Sequence, residues 1–536
     1  MARHRKSDSL SDTRGPKRSR PPATATRGHR HKGETAIREV KKRGTAAAAQ
    51  VENLLGMDEA IERLKTTRST FYRWLRSGKI KGMKVGRQWR FDLKEIERFL
   101  RGGEPEIELR ADITPLVEDL RARVAGLSAQ SCSLPADTAV QQAVKLVVEL
   151  GLAMGASDIH LSPHVGEEGQ ERVAALRYRV DGTLHPVVQV DIRLMPALIE
   201  QWKVFVGCDT HETKPQDGRL TLRVGDAEEP VDARVNFLPT ALGESLTVRI
   251  LSSATGPITF DRIDYLQQDK EKLERWTSAP SGLIIVSGPI GCGKTTVLYA
   301  CLKHIAKPAL KIATVEDPIE HLFPWMVQTQ VNEREGITYP SAMRAVLRSD
   351  PDVILAGHLG DKETLQMAQT AALTGHLVLS TLHSNEAAEA LARMLQMCGD
   401  AFAVSDTTKL VVVQRLVRVL CPDCKKKTTL RGSALTKARE LAQSGGLDWD
   451  PLPKAWHRAV GCAKCNGTGY RGRNVVAELL EMTPEIAEAL HHGASAEELR
   501  TIAVGQGMTT IAAHGVCRAA EGQTTLEEVT RVLGLN

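Results

Sequence analysis

The chain has 536 residues with 71 Lys and Arg against 65 Asp and Glu, a net charge of +6, and is 42% hydrophobic and 25% charged. This balance excludes a fibrous or wholly disordered protein, and no apolar run approaches the roughly 18–20 residues of a membrane span. The mild net charge hides a segregation: residues 1–50 carry 14 basic and 4 acidic side chains, residues 51–101 carry 13 and 7, and the rest carry 44 and 54. A head at +16 on a body at −10 makes nucleic acid or an anionic surface a candidate partner for residues 1–101. The basic N-terminus has no apolar segment behind it, so no secretory signal is expected. Ten cysteines, four of them in two CxxC pairs, suit a cytosolic protein with a metal site better than a disulfide scaffold.

Residues 1–50 are rich in Arg, Lys, Ser, Pro and Thr and have almost nothing apolar before Ile37. They cannot bury enough surface to offset chain entropy, which predicts a disordered basic tail, either solubilising or polyanion-binding. Residues 51–101 differ. Asp58 is placed to cap a short helix with Ala60, Ile61 and Leu64 on its apolar face. Thr66 or Thr67 is placed to cap a second helix, with Phe71, Trp74 and Leu75 inward, Arg68, Ser69, Thr70 and Arg73 outward, and Gly78 at its end. Residues 80–91 alternate around Gly82 and Gly86 like a hairpin, and Asp92 opens a third helix. This order resembles the winged helix-turn-helix of the excisionase/MerR kind. The resemblance implies Arg68, Ser69, Thr70 and Arg73 at base edges, and Lys81, Lys84, Arg87 and Arg90 along the phosphate backbone. Reuse of the small fold for docking a protein is the other reading.

Residues 102–135, with Gly102, Gly103, Pro105 and Pro135, read as a linker containing one helix near 115–127. Residues 136–260 read as an α+β domain: a helix over 140–154, then strands at 157–162, 173–180, 219–224, 231–237 and 246–251. From about 280 strands alternate with helices, the mark of a parallel α/β sheet.

The apolar strand 283–286 runs into GPIGCGKTT at 288–296, the G-x-x-x-x-G-K-[ST] pattern of a P-loop, followed by a helix. Gly288, Gly291 and Gly293 let backbone N–H groups curl round a β-phosphate, Lys294 reaches the β/γ oxygens, and Thr295, followed by Thr296, is the Mg²⁺ ligand. Cys292 inside the loop reads as a small packing residue.

With these motifs the chain from about 136 to 536 resembles the type II secretion and type IV pilus assembly ATPases. ASDIHLSP at 156–163, RYRVDGTL at 177–184, KPQDGRL at 214–220 and DARVNFLPTALGESLTVRIL at 232–251 carry the resemblance. So do KIATVEDPIEH at 311–321, TGHLVLSTLHSNEA at 374–387, GYRGR and GQTTLEEVTRVLG. It implies a multidomain protein: a RecA-like α/β P-loop ATPase domain over 261–536, preceded by the α+β domain and the winged helix. It further implies arginines Arg234 and Arg249 approaching the nucleotide phosphates, Glu316 linked to water activation, and a histidine box with His376 and His383. A homohexamer at the cytoplasmic side of the inner membrane, moving a membrane platform protein, is what the family leads one to expect. Phosphoryl transfer needs charge neutralisation and an oriented water, which suits such residues.

The sequence departs from the family pattern in LRSDPDVILAGHLGD at 347–361, where His358 stands in place of a Glu and Gly360 in place of an Arg. Asp350, Asp352 and Asp361 remain. A neutral imidazole organises Mg²⁺ and water poorly, so ATP binding is expected to survive and hydrolysis to be slow unless Glu316 activates the water. A weakened motor and a nucleotide-gated switch, including a DNA-binding or DNA-transport ring built on the winged helix, both fit. The family's own N-terminal docking domain is not found, and the winged helix stands in its place. Finally, Cys421, Cys424, Cys462 and Cys465 form two CxxC turns, each presenting two sulfurs to one point as a four-thiolate Zn²⁺ site requires; the spacer between them is longer than in a compact ribbon, and the resemblance implies such an insertion in the ATPase domain.

Overall fold

Gly56, not Asp58, takes the N-cap position of the first helix, α1 (Met57–Arg63), in this computed structural model. The Glu59 carboxylate accepts from the Gly56 N–H at 2.7 Å, and Asp58 sits in the first turn, where its charge still favours the helix dipole. Thr67 caps α2 (Arg68–Arg76), accepting from Thr70 N at 3.3 Å. Gly86, at φ +65°, turns β2 (Met83–Val85) into β3 (Gln88–Asp92), and the Asp92 side chain caps α3 (Leu93–Leu100). A two-residue strand, β1 (Leu54–Leu55), completes a sheet of order β1-β3-β2. Ala60, Phe71, Leu75, Ile80, Phe91 and Ile96 form the core, with the Phe71 and Phe91 rings edge to face at 5.0 Å. The residues described are 54–535 except 77, 102–106, 108, 128, 167–171, 226–229 and 252–258, so the expected basic tail lies outside them.

Residues 54–106 belong to one compact unit and 107–536 to another. In the second, the stretch expected as a linker is largely built into a core. Helix α4 (Thr114–Gly126) buries Leu116, Val117 and Leu120, and Ile113, Cys132 and Leu134 join them. The Gly and Pro residues that suggested a linker cluster at its ends, while the apolar middle packs on α5 (Ala139–Ala153). The following strands are β4 (Ala156–Val165), β5 (Arg172–Val180), β6 (Thr183–Val190), β7 (Gln216–Leu222), β8 (Val231–Thr240) and β9 (Gly243–Leu251). They form an antiparallel sheet of order β6-β5-β4-β9-β8-β7. Strand β6 and helix α6 (Met195–Val206) escaped the sequence pattern. Pro186 interrupts the strand's alternation, and the helix is apolar nearly all round, with Trp202 and even Lys203 buried.

Beyond α7 (Gln267–Thr277) lies a seven-stranded sheet of order β12-β11-β13-β14-β10-β15-β18. Strands β10 (Gly282–Ser287), β11 (Ile312–Glu316), β12 (Met326–Gln330), β13 (Val353–Ala356), β14 (Leu377–Leu382) and β15 (Thr408–Leu420) are parallel. The central four, β10, β11, β13 and β14, are buried throughout, as a sheet covered on both faces requires. The last strand, β18 (Tyr470–Glu481), pairs antiparallel with β15. Between them the cysteine insertion carries a two-stranded ribbon, β16 (Lys426–Lys427) with β17 (His457–Arg458), and a helix over Gly432–Ser444, whose Ala438 and Ala442 pack with Trp449, Trp456 and Val516.

The antiparallel sheet and the parallel one are tied by direct bonds. Arg219 donates to Gln330 Oε1 at 3.4 Å and Gly472 N donates to Asp181 Oδ2 at 2.8 Å.

Candidate nucleotide site and cysteine cluster

The parallel sheet brings four separate sequence segments to one edge, the carboxyl ends of its strands, where α/β sheets bind ligands. The P-loop follows β10, Glu316 ends β11, His358 stands two residues past β13, and His383 follows β14. In the loop, Gly288, Gly291 and Gly293 have φ of +141°, +78° and +90°, a run that side chains with a Cβ would not adopt. Gly288 also has no room for one: an added Cβ would lie 2.6 Å from Gln414 O and 2.7 Å from Cys292 Sγ. Helix α8 (Lys294–Ile305) begins directly after, so its free N–H groups and dipole face the loop.

Lys294 Nζ donates to the carbonyls of Gly288 and Pro289 at 2.7 and 3.1 Å. Burial holds its ammonium below the usual lysine value, with the Arg415 charge adding to the effect. Arg415 itself is buried beside Gly288 and bonds only neutral oxygens, Gln414 O and Asn385 Oδ1, at 2.9 Å each. Its guanidinium is likewise lowered by burial. Neither cation has a carboxylate in salt-bridge range among the described residues. Two desolvated positive charges at a helix N-terminus make a site that an anion relieves. The hydroxyls of Thr295 and Thr296 lie half-buried in the first helical turn.

His383 Nδ1 lies 3.2 Å from Gly288 O, and its ring centroid is 4.9 Å from that of His358. Burial depresses the His358 imidazole, with His383 and Lys294 adding to it. His376 lies at the opposite, N-terminal end of β14, bonded to Ala371 O at 2.9 Å. Glu316 is 4% exposed and fully engaged: Thr314 donates at 2.6 Å, Gln328 at 3.2 Å, and the Tyr299 hydroxyl bonds its other oxygen. Arg234 reaches the loop after Glu316, donating to Ile319 O at 3.3 Å, while its Nε has no partner. Arg249 pairs instead with buried Asp158 at 2.9 Å, within its own sheet. Among the described residues neither arginine bonds to 288–296. Asp350 and Asp352 precede β13 at its far end, with Asp352 accepting from Lys311 N, and Asp361 caps the helix over Lys362–Leu373.

Gln414, Arg415, Asn385 and Tyr265 were not foreseen. Gln414 and Arg415 are polar residues interrupting the apolar strand β15, which is the signal that marks them. On the winged helix, Arg68, Ser69, Arg73, Lys84 and Arg87 are exposed. Thr70 is half-buried with its hydroxyl bonded to Thr67, and Arg90 lies back on Gln88.

The four cysteine sulfurs lie within 4.8 Å of one another, with Cys421–Cys462 and Cys424–Cys465 at 3.9 Å and Cys462–Cys465 at 3.8 Å. Four thiolates around Zn²⁺ at about 2.3 Å stand on a tetrahedron of edge ~3.8 Å, so the donor set fits that ion. The N–H groups of Cys462 and Gly469 point at Cys465 Sγ, 3.2 Å each, as they would to a thiolate.

A family model described as "Type II/IV secretion system protein" matches residues 134–531, and one described as "Helix-turn-helix domain" matches 54–104. The chain is 37% identical over 433 residues to type II secretion system protein E of Pseudomonas aeruginosa, covering 80% of each. It is 36% identical over 442 residues to the type IV pilus assembly ATPase PilB of Thermus thermophilus, covering 81% of this chain and 47% of that protein. Among solved structures, the Legionella pneumophila ATPase DotB superposes with a TM-score of 0.54 at 18% identity, covering 73% of this chain and 95% of that one, a likeness of fold. By sequence, this chain belongs to the type II/IV secretion system protein family.

Proposed function

We propose that the protein is an ATP-binding motor subunit of a secretion or pilus assembly machine, with slow hydrolysis. The observation that carries this is the pair of unneutralised cations, Lys294 and Arg415, beneath the glycine loop at the start of α8. Gly288, Gly291 and Gly293 cradle the phosphates, Lys294 neutralises them, and Thr295 and Thr296 face the metal and the α-phosphate side. A divalent ion there supplies charge neutralisation between phosphate oxygens. Glu316 orients the attacking water once it leaves Tyr299 or draws on its hydrogen-bonded shell, and His383 holds the loop through Gly288. Arg234 and Arg249 serve as phosphate-sensing arginines of the same or a neighbouring subunit in a hexamer, which implies that Arg249 exchanges Asp158 for nucleotide. The partner is a membrane platform protein, and the zinc cluster braces the insertion. The lack of a Glu at 358 reduces turnover.

A phosphate-release assay on the full-length protein tests this: slow turnover that Lys294→Ala abolishes is expected. Failure of the wild-type chain to bind ATP would overturn it.

A second role belongs to the winged helix. Arg68 and Arg73 on one exposed helix face, with Lys84 and Arg87 on the hairpin, support DNA binding by the head. Such binding should fall steeply with salt. In fluorescence anisotropy, Arg73→Ala with Arg87→Ala should weaken duplex binding by the full-length protein about tenfold or more. No binding at low salt leaves the protein-docking reading.

A further inference from the structure

We infer that His358 and His383 together form a two-imidazole site for a borderline divalent transition ion, of the Zn²⁺, Co²⁺ or Ni²⁺ class, carried with the nucleotide. This rests on the nucleotide-site reading above and departs from it in the identity of the ion.

The hydrogen bonds fix both tautomers. The Thr381 hydroxyl spends its proton on Gly357 O at 2.7 Å, so it accepts from His358 Nδ1 at 3.3 Å. His383 Nδ1 faces Gly288 O at 3.2 Å, and a carbonyl only accepts. Each ring therefore carries its proton on Nδ1 and keeps a lone pair on Nε2, and neither Nε2 is hydrogen-bonded among the described residues. A histidine pinned through one ring nitrogen to a carbonyl or hydroxyl is how metal-ligating imidazoles are oriented.

Spacing agrees. Two imidazoles sharing one ion at bonds of about 2.0–2.1 Å, roughly at right angles or a little wider, have centroids about 4.5–5.3 Å apart. These rings are at 4.9 Å and inclined by 51°. Gly360 lies beside the His358 ring: a Cβ there would come within 3.1 Å of His358 Cδ2.

Mg²⁺ is a poor occupant for this pair. It takes oxygen ligands in a rigid octahedron, whereas imidazole suits the later transition ions. Thr295 and phosphate oxygens would complete the coordination of either kind of ion. Of the nearby aspartates, Asp352 accepts from Lys311 N and Asp361 caps the helix over Lys362–Leu373. A second use of the pair, as imidazolium rings donating from Nε2 to a phosphate oxygen without any metal, makes a different prediction in the same experiment.

The test uses the full-length protein with zinc already in its cysteine cluster. Co²⁺ is titrated with a non-hydrolysable ATP analogue, reading visible absorption and equilibrium dialysis. One equivalent of cobalt, dependent on the analogue and free of a thiolate charge-transfer band, is expected. His358→Ala and His383→Ala should each weaken it about 10–100-fold. Thr381→Val, which keeps the ring and removes its pin, should give a smaller loss with an unchanged circular dichroism spectrum. His358→Glu should lose cobalt preference and gain binding with Mg²⁺. Cobalt affinity unmoved by both alanine substitutions, with analogue still bound, overturns the inference alone and leaves phosphate hydrogen bonding as the role of the pair. No analogue binding under any metal condition overturns the nucleotide-site reading as well.

Discussion

Gln414 on β15 donates from its side-chain amide to the carbonyl oxygen of Cys292 at 2.8 Å, so the strand beside the P-loop strand holds the loop's backbone from beneath. Its own amide oxygen is bonded by the Tyr265 hydroxyl, which is fully buried. Gln414→Leu leaves both the carbonyl and the phenol unpaired, at a cost of about 1–3 kcal/mol for each buried group. We expect a lower melting temperature and roughly tenfold weaker binding of a fluorescent ATP analogue. Tyr265→Phe should lose stability with a smaller change in affinity, since Gln414 would still reach Cys292. Equal affinity in wild type and Gln414→Leu would show that the loop keeps its shape without this support.

Gly288→Ala tests the loop more directly. The new methyl would meet Gln414 O and Cys292 Sγ at 2.6–2.7 Å, at a φ that only glycine adopts readily. Nucleotide binding should fall below detection while the rest of the fold survives, as read by calorimetry and circular dichroism. Retention of wild-type affinity would place the phosphates elsewhere.

Metal removal should act on the insertion before the sheet. A chelator strong enough to strip Zn²⁺, or Cys465→Ser, should lower the first thermal transition and raise hydrogen exchange over 421–470. The sheet strand β10 should stay protected, since its core of Ile284, Val286 and Leu379 is separate from the insertion's Ala438, Trp449 and Trp456. Metal analysis of the purified protein should find one zinc per chain.

His514 gives the acid limb of stability a named contributor. It is fully buried, its Nδ1 lies 3.0 Å from both the O and the N of Ala477, and its Nε2 accepts from Arg518 Nε, 3.2 Å away. Burial, and then the Arg518 guanidinium, hold it at about 4. Its folded value lies below the unfolded one near 6.5, so its contribution is complete above 6.5 and is lost as pH falls toward 4, by roughly 3 kcal/mol. Buried Glu478, pushed up to about 6, works in the opposite sense, losing its contribution as pH rises from the unfolded carboxylate value through 6. The readout is therefore the difference between His514→Gln and wild type in urea unfolding, which should shrink steadily from pH 7 to pH 4. A pH-independent difference would assign the acid sensitivity to other groups.

Gly82→Ala should loosen the winged helix, because an added Cβ would sit 2.5 Å from the Phe91 ring that packs edge to face on Phe71. Hydrogen exchange on the full-length protein should rise across 54–100 and stay unchanged in the parallel sheet.

Much of this organisation is legible in the chain because it is local. The glycine loop between an apolar strand and a helix, the two CxxC turns, the Thr67 and Asp92 caps and the Gly86 hairpin turn all need only neighbours in sequence, and each is present in the structure. Asp58 is not the cap because Gly56, two residues earlier and backed by Glu59, takes that position. The helix over 114–126 packs Leu116, Val117 and Leu120 against α5, a partner that no local pattern shows, and α6 has little polar face to mark its period.

The residue types, the charge segregation and the order of motifs were thus determined by the sequence alone. Tertiary structure decided which of them meet. Parallel pairing of β10, β11, β13 and β14 brings Gly288 and His383, 95 residues apart, within a hydrogen bond. It also sets His358 against His383, buries Arg415 unneutralised beneath the loop, and commits Arg249 to Asp158 instead of to the phosphates in this conformation. Burial, tautomer and pairing depend on what the fold brings alongside, and no local pattern carries that information.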